Sequence, residues 1–312
     1  MIVSMEKFFK NKKSAIVLSL FAMALWGSAI PLIKTTYRVM DVAPNDFGLK
    51  ILIAGARFFM AGLLALFYYK ITKAKTEGAH RINLKFVLVL SLIQTSLQYF
   101  FYYIGLSNTF GVKASVIQAF GSFMTVIMAA IFIPTDKLDR YKVIAIIVGT
   151  LGIVVSNRSG IEGTGFKITG EGFILMSTLF NALATILVRI HGKDQNSFLL
   201  TGLQFLFGAV VLIVAGLILK KGEFHLTPTV FILLLYGAFI SATAFSIWTF
   251  VLKFQEAGEF ALYKLFIPIL GSVFSIIFLG ESFTIHLVIS LTLVIIGTVI
   301  LNMKMIWSNV LP

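Results

Sequence analysis

Three cations stand within the long apolar stretches of this sequence, Lys34, Arg57 and Lys264, and away from the ends of those stretches no carboxylate accompanies them. A Lys or Arg at the centre of bilayer hydrocarbon costs about 2.5–3.5 kcal/mol on insertion scales, so such a group lies in a polar cavity or reaches an interface. Lys264 has the strongest local case for chemistry. Pro268 follows four residues later and lacks an N–H, which leaves the Lys264 carbonyl without its helical donor. A cation and a freed acceptor at one point suit a zwitterionic or anionic ligand, because the ammonium binds a carboxylate or phosphate while the carbonyl accepts from an amine. The competing explanation is a lysine that snorkels to the nearer interface beside a simple kink.

Other polar groups join it as candidate substrate contacts. Gln94, Gln98 and Tyr102 recur at i, i+4 and i+8, which places them on one helical face that lipid would disfavour. Gln118 is an isolated amide in its stretch and needs a partner, water or substrate. Trp26 and Trp248 lie well inside their stretches, whereas interfacial tryptophans gather at the ends, so their rings are available to stack on substrate or to pack the core. Asn181 and Gln204 are amides of the kind that glue helices together. Arg57, about 12 Å inward from Leu49 at 1.5 Å per residue, reads as a structural cap for carbonyls or a reach to the headgroups. Lys34 is about a turn from the end of its stretch, and Glu281 reads as an N-terminal cap of the helix that follows it. Pro31 and Pro268 are the hinge candidates.

Catalytic sets are missing. His80, His191, His225 and His286 are scattered without metal-ligand spacing, and no glycine-rich phosphate loop precedes a helix. No metal and no cofactor is expected. Proton coupling usually uses a titrating membrane carboxylate, and the nearest are Glu256 and Glu259 at a span mouth, so passive movement or exchange is favoured over antiport.

The elements that position these groups follow from composition. With 312 residues, 58% hydrophobic, 12% charged and a mean hydropathy of +0.97, the chain is no soluble domain, where about a quarter of residues are charged. A span needs about 20 apolar residues. Ten stretches qualify, at 14–37, 49–69, 84–106, 112–133, 138–157, 170–188, 198–219, 229–252, 260–280 and 283–303. Continuous apolar runs exclude a membrane barrel, whose strands alternate. The expected fold is an all-α integral membrane protein of ten transmembrane helices. The first stretch follows several lysines and contains Ala22-Met23-Ala24, which resembles a signal cleavage site, but it runs on to Ile33 and is expected to stay as a helix.

The net charge of +13 is a topology signal rather than a nucleic-acid footprint. Sixteen of the 26 Lys and Arg fall on one set of loops, seven on the other and three within the spans. The positive-inside rule then puts both termini in the cytoplasm. The absence of cysteine leaves no thiolate metal site and no disulfide.

Ten spans divide into five and five, which inverts the second half in the membrane. A shift of 146 residues places Gln118 opposite Lys264, a shift of 148 aligns Ile147–Thr150 with Ile295–Thr298, and one of 155 pairs Trp26 with Asn181 and Lys34 with Arg189. Residues 1–157 and 158–312 are the expected repeats. Leu25-Trp26-Gly27-Ser28 with Lys34, Arg57-Phe58-Phe59 with Ala61-Gly62, and Pro268 followed by Leu279-Gly280-Glu281 and Gly297 together resemble an EamA-type member of the drug/metabolite transporter superfamily. The resemblance implies two inverted five-helix repeats and alternating-access movement of small metabolites. The first half departs from the pattern: no proline stands near Gly121-Ser122, and Thr135-Asp136 replaces the usual glutamate.

The expected function is secondary transport of zwitterionic or anionic metabolites, amino acids first, across the cytoplasmic membrane, by a monomer or homodimer in the lipid bilayer with no nucleic-acid partner. A rival is efflux of neutral or cationic toxic compounds, which membrane cations without carboxylates disfavour. A rival of another class is a membrane enzyme or lipid-handling protein, which would show a carboxylate or histidine cluster at one interface.

Overall fold

Helix is the only way for a long apolar chain to satisfy its own backbone in lipid, and no strand occurs among the described residues. The computed structural model describes residues 11–72, 82–134, 136–156, 165–192, 195–255, 262–282 and 284–310. His80, Glu256 and Glu259 lie outside the described residues. The helices are α1 Lys12–Val39, α2 Phe47–Thr72, α3 Leu84–Ser107, α4 Gly111–Phe132, α5 Arg140–Ser156, α6 Ile168–His191, α7 Ser197–Leu219, α8 Pro228–Phe254, α9 Phe266–Leu279 and α10 Ile285–Val310. Among the described residues, eight helices are long and apolar enough to cross a membrane; α5 and the apolar segment Tyr263–Leu279 are shorter.

Local chemistry sets the boundaries. Asn11 accepts from the Lys13 and Ser14 N–H groups at the start of α1, Asn83 does the same for Phe86 in α3, and Asn196 for Phe198 and Leu199 in α7. Thr227 caps α8, with Pro228 at the first position, where no N–H is missed. Gly280 ends α9 at φ +67°, a left-handed turn that a side chain rarely adopts. The cleavage-like Ala22 and Met23 are fully buried within α1, which packs on α8 and α9.

Helices approach closely where their residues are small. Gly48, Gly55 and Gly62 recur every seven residues on α2 and face α7, where Gly202, Ala209 and Gly216 recur at the same interval. A methyl added to Gly216 would stand 2.7 Å from the Leu52 backbone nitrogen. Lipid tails give helices no hydrophobic reason to associate, so such seams supply the packing instead. The α5–α10 pair repeats the device with Gly152 and Gly297, while Gly149 makes room for Phe123 of α4, so these glycines serve packing within the chain. Elsewhere α1 packs on α8 and α9, α6 on α3 and α4, α2 on α8, α3 on α7, and α4 on α9. Large apolar side chains such as Val17, Ile168, Ile218 and Ile277 point outward, as a lipid-facing surface requires.

Candidate functional site

Lys264 lies in a 3-10 turn, Leu262–Leu265, that opens α9. Pro268 therefore stands in the first turn of α9, where N–H groups have no helical acceptor anyway. The expectation that Pro268 frees the Lys264 carbonyl within a continuing helix is corrected, because Lys264 precedes α9 in the 3-10 turn. The Lys264 ammonium sits 5.0 Å from the centroid of the Trp248 ring. Its side chain is exposed in this structure. A cation over an indole face gains about 0.5–2 kcal/mol and keeps its donors for a ligand. Trp26 meets Trp248 edge-on at 6.3 Å and Phe245 at 5.4 Å, so both tryptophans belong to one aromatic wall.

Gln118 is reached through α4 and α9, which run antiparallel. A side chain on Gly111 would meet Ser275, and one on Gly271 would meet Ser115. That register sets Gln118 level with Pro268, about 6 Å along the axis from Lys264 at 1.5 Å per residue. The Gln118 carbonyl accepts from the Tyr102 hydroxyl at 3.4 Å. Across the bundle the Asn181 amide donates to Gln98 at 3.2 Å, joining α6 to α3. Phe245, Phe205, Phe58, Tyr99 and Tyr102 form a continuous chain of ring contacts from the tryptophan wall to Gln118. The structure thus links Trp26, Trp248 and Lys264 directly, and Gln98, Asn181, Tyr102 and Gln118 as two pairs farther along.

The single-face stripe of Gln94, Gln98 and Tyr102 needs correction. Residues Ser91–Leu97 form a π-helical stretch, whose wider turn breaks the 3.6-residue phasing between Gln94 and Gln98. Gln98 and Tyr102 are buried, while Gln94 is half-buried. Tyr102 and Tyr103 are core residues and not part of an interfacial aromatic belt.

Arg57 is buried and fully occupied. Its Nε donates to the Gly237 carbonyl at 3.0 Å, and its two terminal nitrogens donate to the Tyr103 hydroxyl at 3.1 Å and Ser241 Oγ at 3.0 Å. Those bonds tie α2 to α8 and α3.

The picture of spans without carboxylates changes at the ends. Glu171 lies in the π-helical first turn of α6, 3% exposed, and its partner Lys113 is 1% exposed at 2.8 Å. Glu171 also accepts from Thr109 Oγ1 at 2.6 Å and the Lys167 N–H at 2.8 Å. Lys113 and Lys50, both counted among the loop charges, are buried within α4 and α2, and the Lys50 ammonium donates to the Pro44 carbonyl at 2.6 Å. Sequence proximity to a span end hid these burials.

Glu281 caps a helix, but not the one that follows it. Its carboxylate accepts from the Gly111 and Val112 N–H groups at 2.7 and 2.8 Å, at the start of α4, and pairs with Lys34 at 2.9 Å. The left-handed Gly280 reverses the chain so that Glu281 points back across the bundle. Lys34 also donates to the Thr109 carbonyl at 2.7 Å. Beside this network lies a cavity of about 280 Å³, lined by Lys34, Ser107, Thr109, Phe110, Lys167 and Glu171 among others. It is at the end of the bundle remote from the Lys264 turn.

A family model described as the EamA-like transporter family matches residues 13–158 and again 168–303. The chain belongs to that family. It is a multi-pass membrane transporter of the drug/metabolite transporter superfamily. Among its relatives, the uncharacterized transporter YvbV of Bacillus subtilis is 26% identical over 306 residues, 96% of this chain and 94% of that one. A probable amino-acid metabolite efflux pump of Salmonella typhimurium is 23% identical over 278 residues, 86% of this chain and 87% of that one. A solved crystal structure at 14% identity superposes with a TM-score of 0.67, covering 94% of this transporter and 98% of that chain, which shows a shared fold.

Proposed function

We propose that this transporter moves small zwitterionic or anionic metabolites, amino acids first, by alternating access between two inverted five-helix repeats. The observation that carries the substrate class is the exposed Lys264 ammonium laid over Trp248 beside Trp26. A carboxylate would meet the ammonium there, and an apolar side chain would meet the indoles. Gln118 and Tyr102 supply polar contacts farther along. The Salmonella relative, described as a probable amino-acid metabolite efflux pump, agrees with that class.

The repeat reading, residues 1–157 and 158–312 with ten spans, has support from packing. Adding five to each helix number turns α1–α9 into α6–α4, α1–α8 into α6–α3 and α2–α8 into α7–α3, all of which are contacts of the bundle. The pairs α2–α7, α4–α9 and α5–α10 map onto themselves, as pairs lying on a pseudo-two-fold axis do. Two matches of one family model agree with the same division. Loop charge supports cytoplasmic termini, an orientation with Lys34 and Glu281 near the outer face and Lys264 nearer the inner one. Glu171 is engaged by three donors, which suits a structural ion pair better than a proton carrier and keeps exchange or passive movement the favoured mode.

The test is uptake and efflux of labelled amino acids in proteoliposomes. A charge-assisted hydrogen bond is worth about 1.5–3 kcal/mol, so Lys264→Ala is expected to weaken substrate affinity at least tenfold while Lys264→Arg retains part of it. Normal transport by Lys264→Ala would remove this site from consideration. The aromatic wall of Trp26, Phe245 and Trp248 favours one second reading, efflux of neutral apolar compounds. Hypersensitivity to such compounds in a deletion strain, without any amino-acid flux, would select it.

A further inference from the structure

We infer that two ion pairs, Lys34–Glu281 and Arg189–Asp136, are matched gates at opposite ends of the transporter, each joining one half to the other. The inference rests on the alternating-access reading above. Lys34 on α1 and Arg189 on α6 occupy equivalent positions of the two repeats at the 155-residue shift. Glu281 follows α9, and Asp136 follows α4, the equivalent helix. Each cation belongs to one half and its carboxylate to the other. In an inverted repeat the two pairs must lie on opposite membrane faces, Lys34–Glu281 outside and Arg189–Asp136 inside.

The pairs are alike in composition and unlike in environment. Glu281 is 7% exposed and holds Lys34 together with two N–H groups of α4, while Lys34 also holds the Thr109 carbonyl. That network fastens α1, α4 and the α9–α10 connection at one point. Arg189 and Asp136 are 51% and 24% exposed and meet through a bidentate contact of 2.5 and 3.1 Å. Exposed pairs contribute little because water screens them and long side chains lose entropy. Buried charges held by several donors are costly to part, since each is left unsatisfied. The outer pair is therefore held by more donors than the inner one, and Lys264 lies toward the side of the weaker pair. Both pairs are formed in this structure; in the outward-facing state the outer network parts while Arg189–Asp136 stays closed, and in the inward-facing state the reverse holds.

Inverse effects of the two gates make the proposal testable. The chain has no cysteine, so Gln118→Cys gives a single reporter on α4. Proteoliposomes of uniform orientation, without substrate, are labelled by a membrane-impermeant maleimide from the outer side. Lys34→Gln leaves the Glu281 contacts to α4 in place and is expected to speed outer labelling about tenfold. Asp136→Asn weakens the state closed inside and is expected to slow outer labelling, with the double variant returning toward the parent rate. Unchanged labelling in Lys34→Gln, or a change of the same sign in both variants, would overturn the gate assignment, the latter because it reports general loosening. Melting temperatures within a few degrees of the parent confirm that each variant is folded. No substrate is involved, so failure to find a transported metabolite leaves this test intact. A cysteine reached only from one side under every condition would instead sink alternating access itself.

Discussion

Arg57 shows what a cation inside the bilayer requires to be structural. Its guanidinium donates to three acceptors on two other helices, and Phe58 lies under it with the ring centroid 5.4 Å from the guanidinium carbon. Interhelical hydrogen bonds in membranes average about 0.6 kcal/mol, so Arg57→Met is expected to cost about 2 kcal/mol, read as a lower melting temperature in detergent. Arg57→Lys, a point donor in place of a planar fork, should recover only part. Lys264 is the opposite case, because its partner in the fold is a ring face and not an acceptor. This contrast was partly legible in the sequence. The depth of Arg57 in its span, about 12 Å inward from Leu49, suggested a structural arginine, but the acceptors Gly237 and Ser241 lie some 180 residues away and carry no signal of their own.

Among elements, the α2–α7 seam is the clearest dependence of packing on residue size. Glycines every seven residues were present in the sequence at 48, 55 and 62 and again at 202 and 216, and that spacing was the available sign of a long helix contact. Gly216→Ala is expected to push α2 and α7 apart and lower the melting temperature by several degrees, because the new methyl meets backbone that has nowhere to move. Gly121→Ala is the control, since its added atom would find Thr178 at an ordinary 3.7 Å. The same two helices are stapled at one end by Asp46, whose carboxylate accepts from the Leu49, Lys221 and Gly222 N–H groups. Burial pushes the Asp46 carboxyl up, but those donors and the nearby Lys50 outweigh it and hold the group below its ordinary value. A depressed value in the folded state means the contribution is complete above the unfolded value of about 3.9 and is lost as pH falls below it. Thermal melts should therefore show acid destabilisation below about pH 4 that is smaller in Asp46→Asn than in the parent.

At the scale of the whole molecule, loop charge and packing symmetry carry the architecture. A cysteine added after Pro312 should resist an impermeant maleimide in intact cells and react in inverted vesicles. Labelling in intact cells would reverse the assigned orientation and with it the placement of the two gates. The burial of Lys50 and Lys113 removes two cations from the sparse set of loops, which sharpens the charge asymmetry on which the orientation rests. The one-for-one exchange of helix contacts between halves explains how a first half without a proline in α4 still pairs with a second half that carries Pro268 in the first turn of α9. Contact geometry is repeated even where the residues that bend each helix are not.

By itself the sequence determined that this is an all-helical membrane protein and which family it belongs to. Apolar length, glycine spacing and loop charge are local properties, and lipid acts on each of them directly. Only the tertiary structure decided which charges bind to one another. Glu281 reaches α4 rather than its own helix, Glu171 draws Lys113 inside, and Trp248 takes the Lys264 ammonium. Such partners lie far apart in the chain, and a buried charge is satisfied by whichever group the packing brings within about 3 Å. Spacing along one helix cannot report that choice, and the π-helical turn at Ser91–Leu97 shows that even a single face is fixed only when the backbone is known.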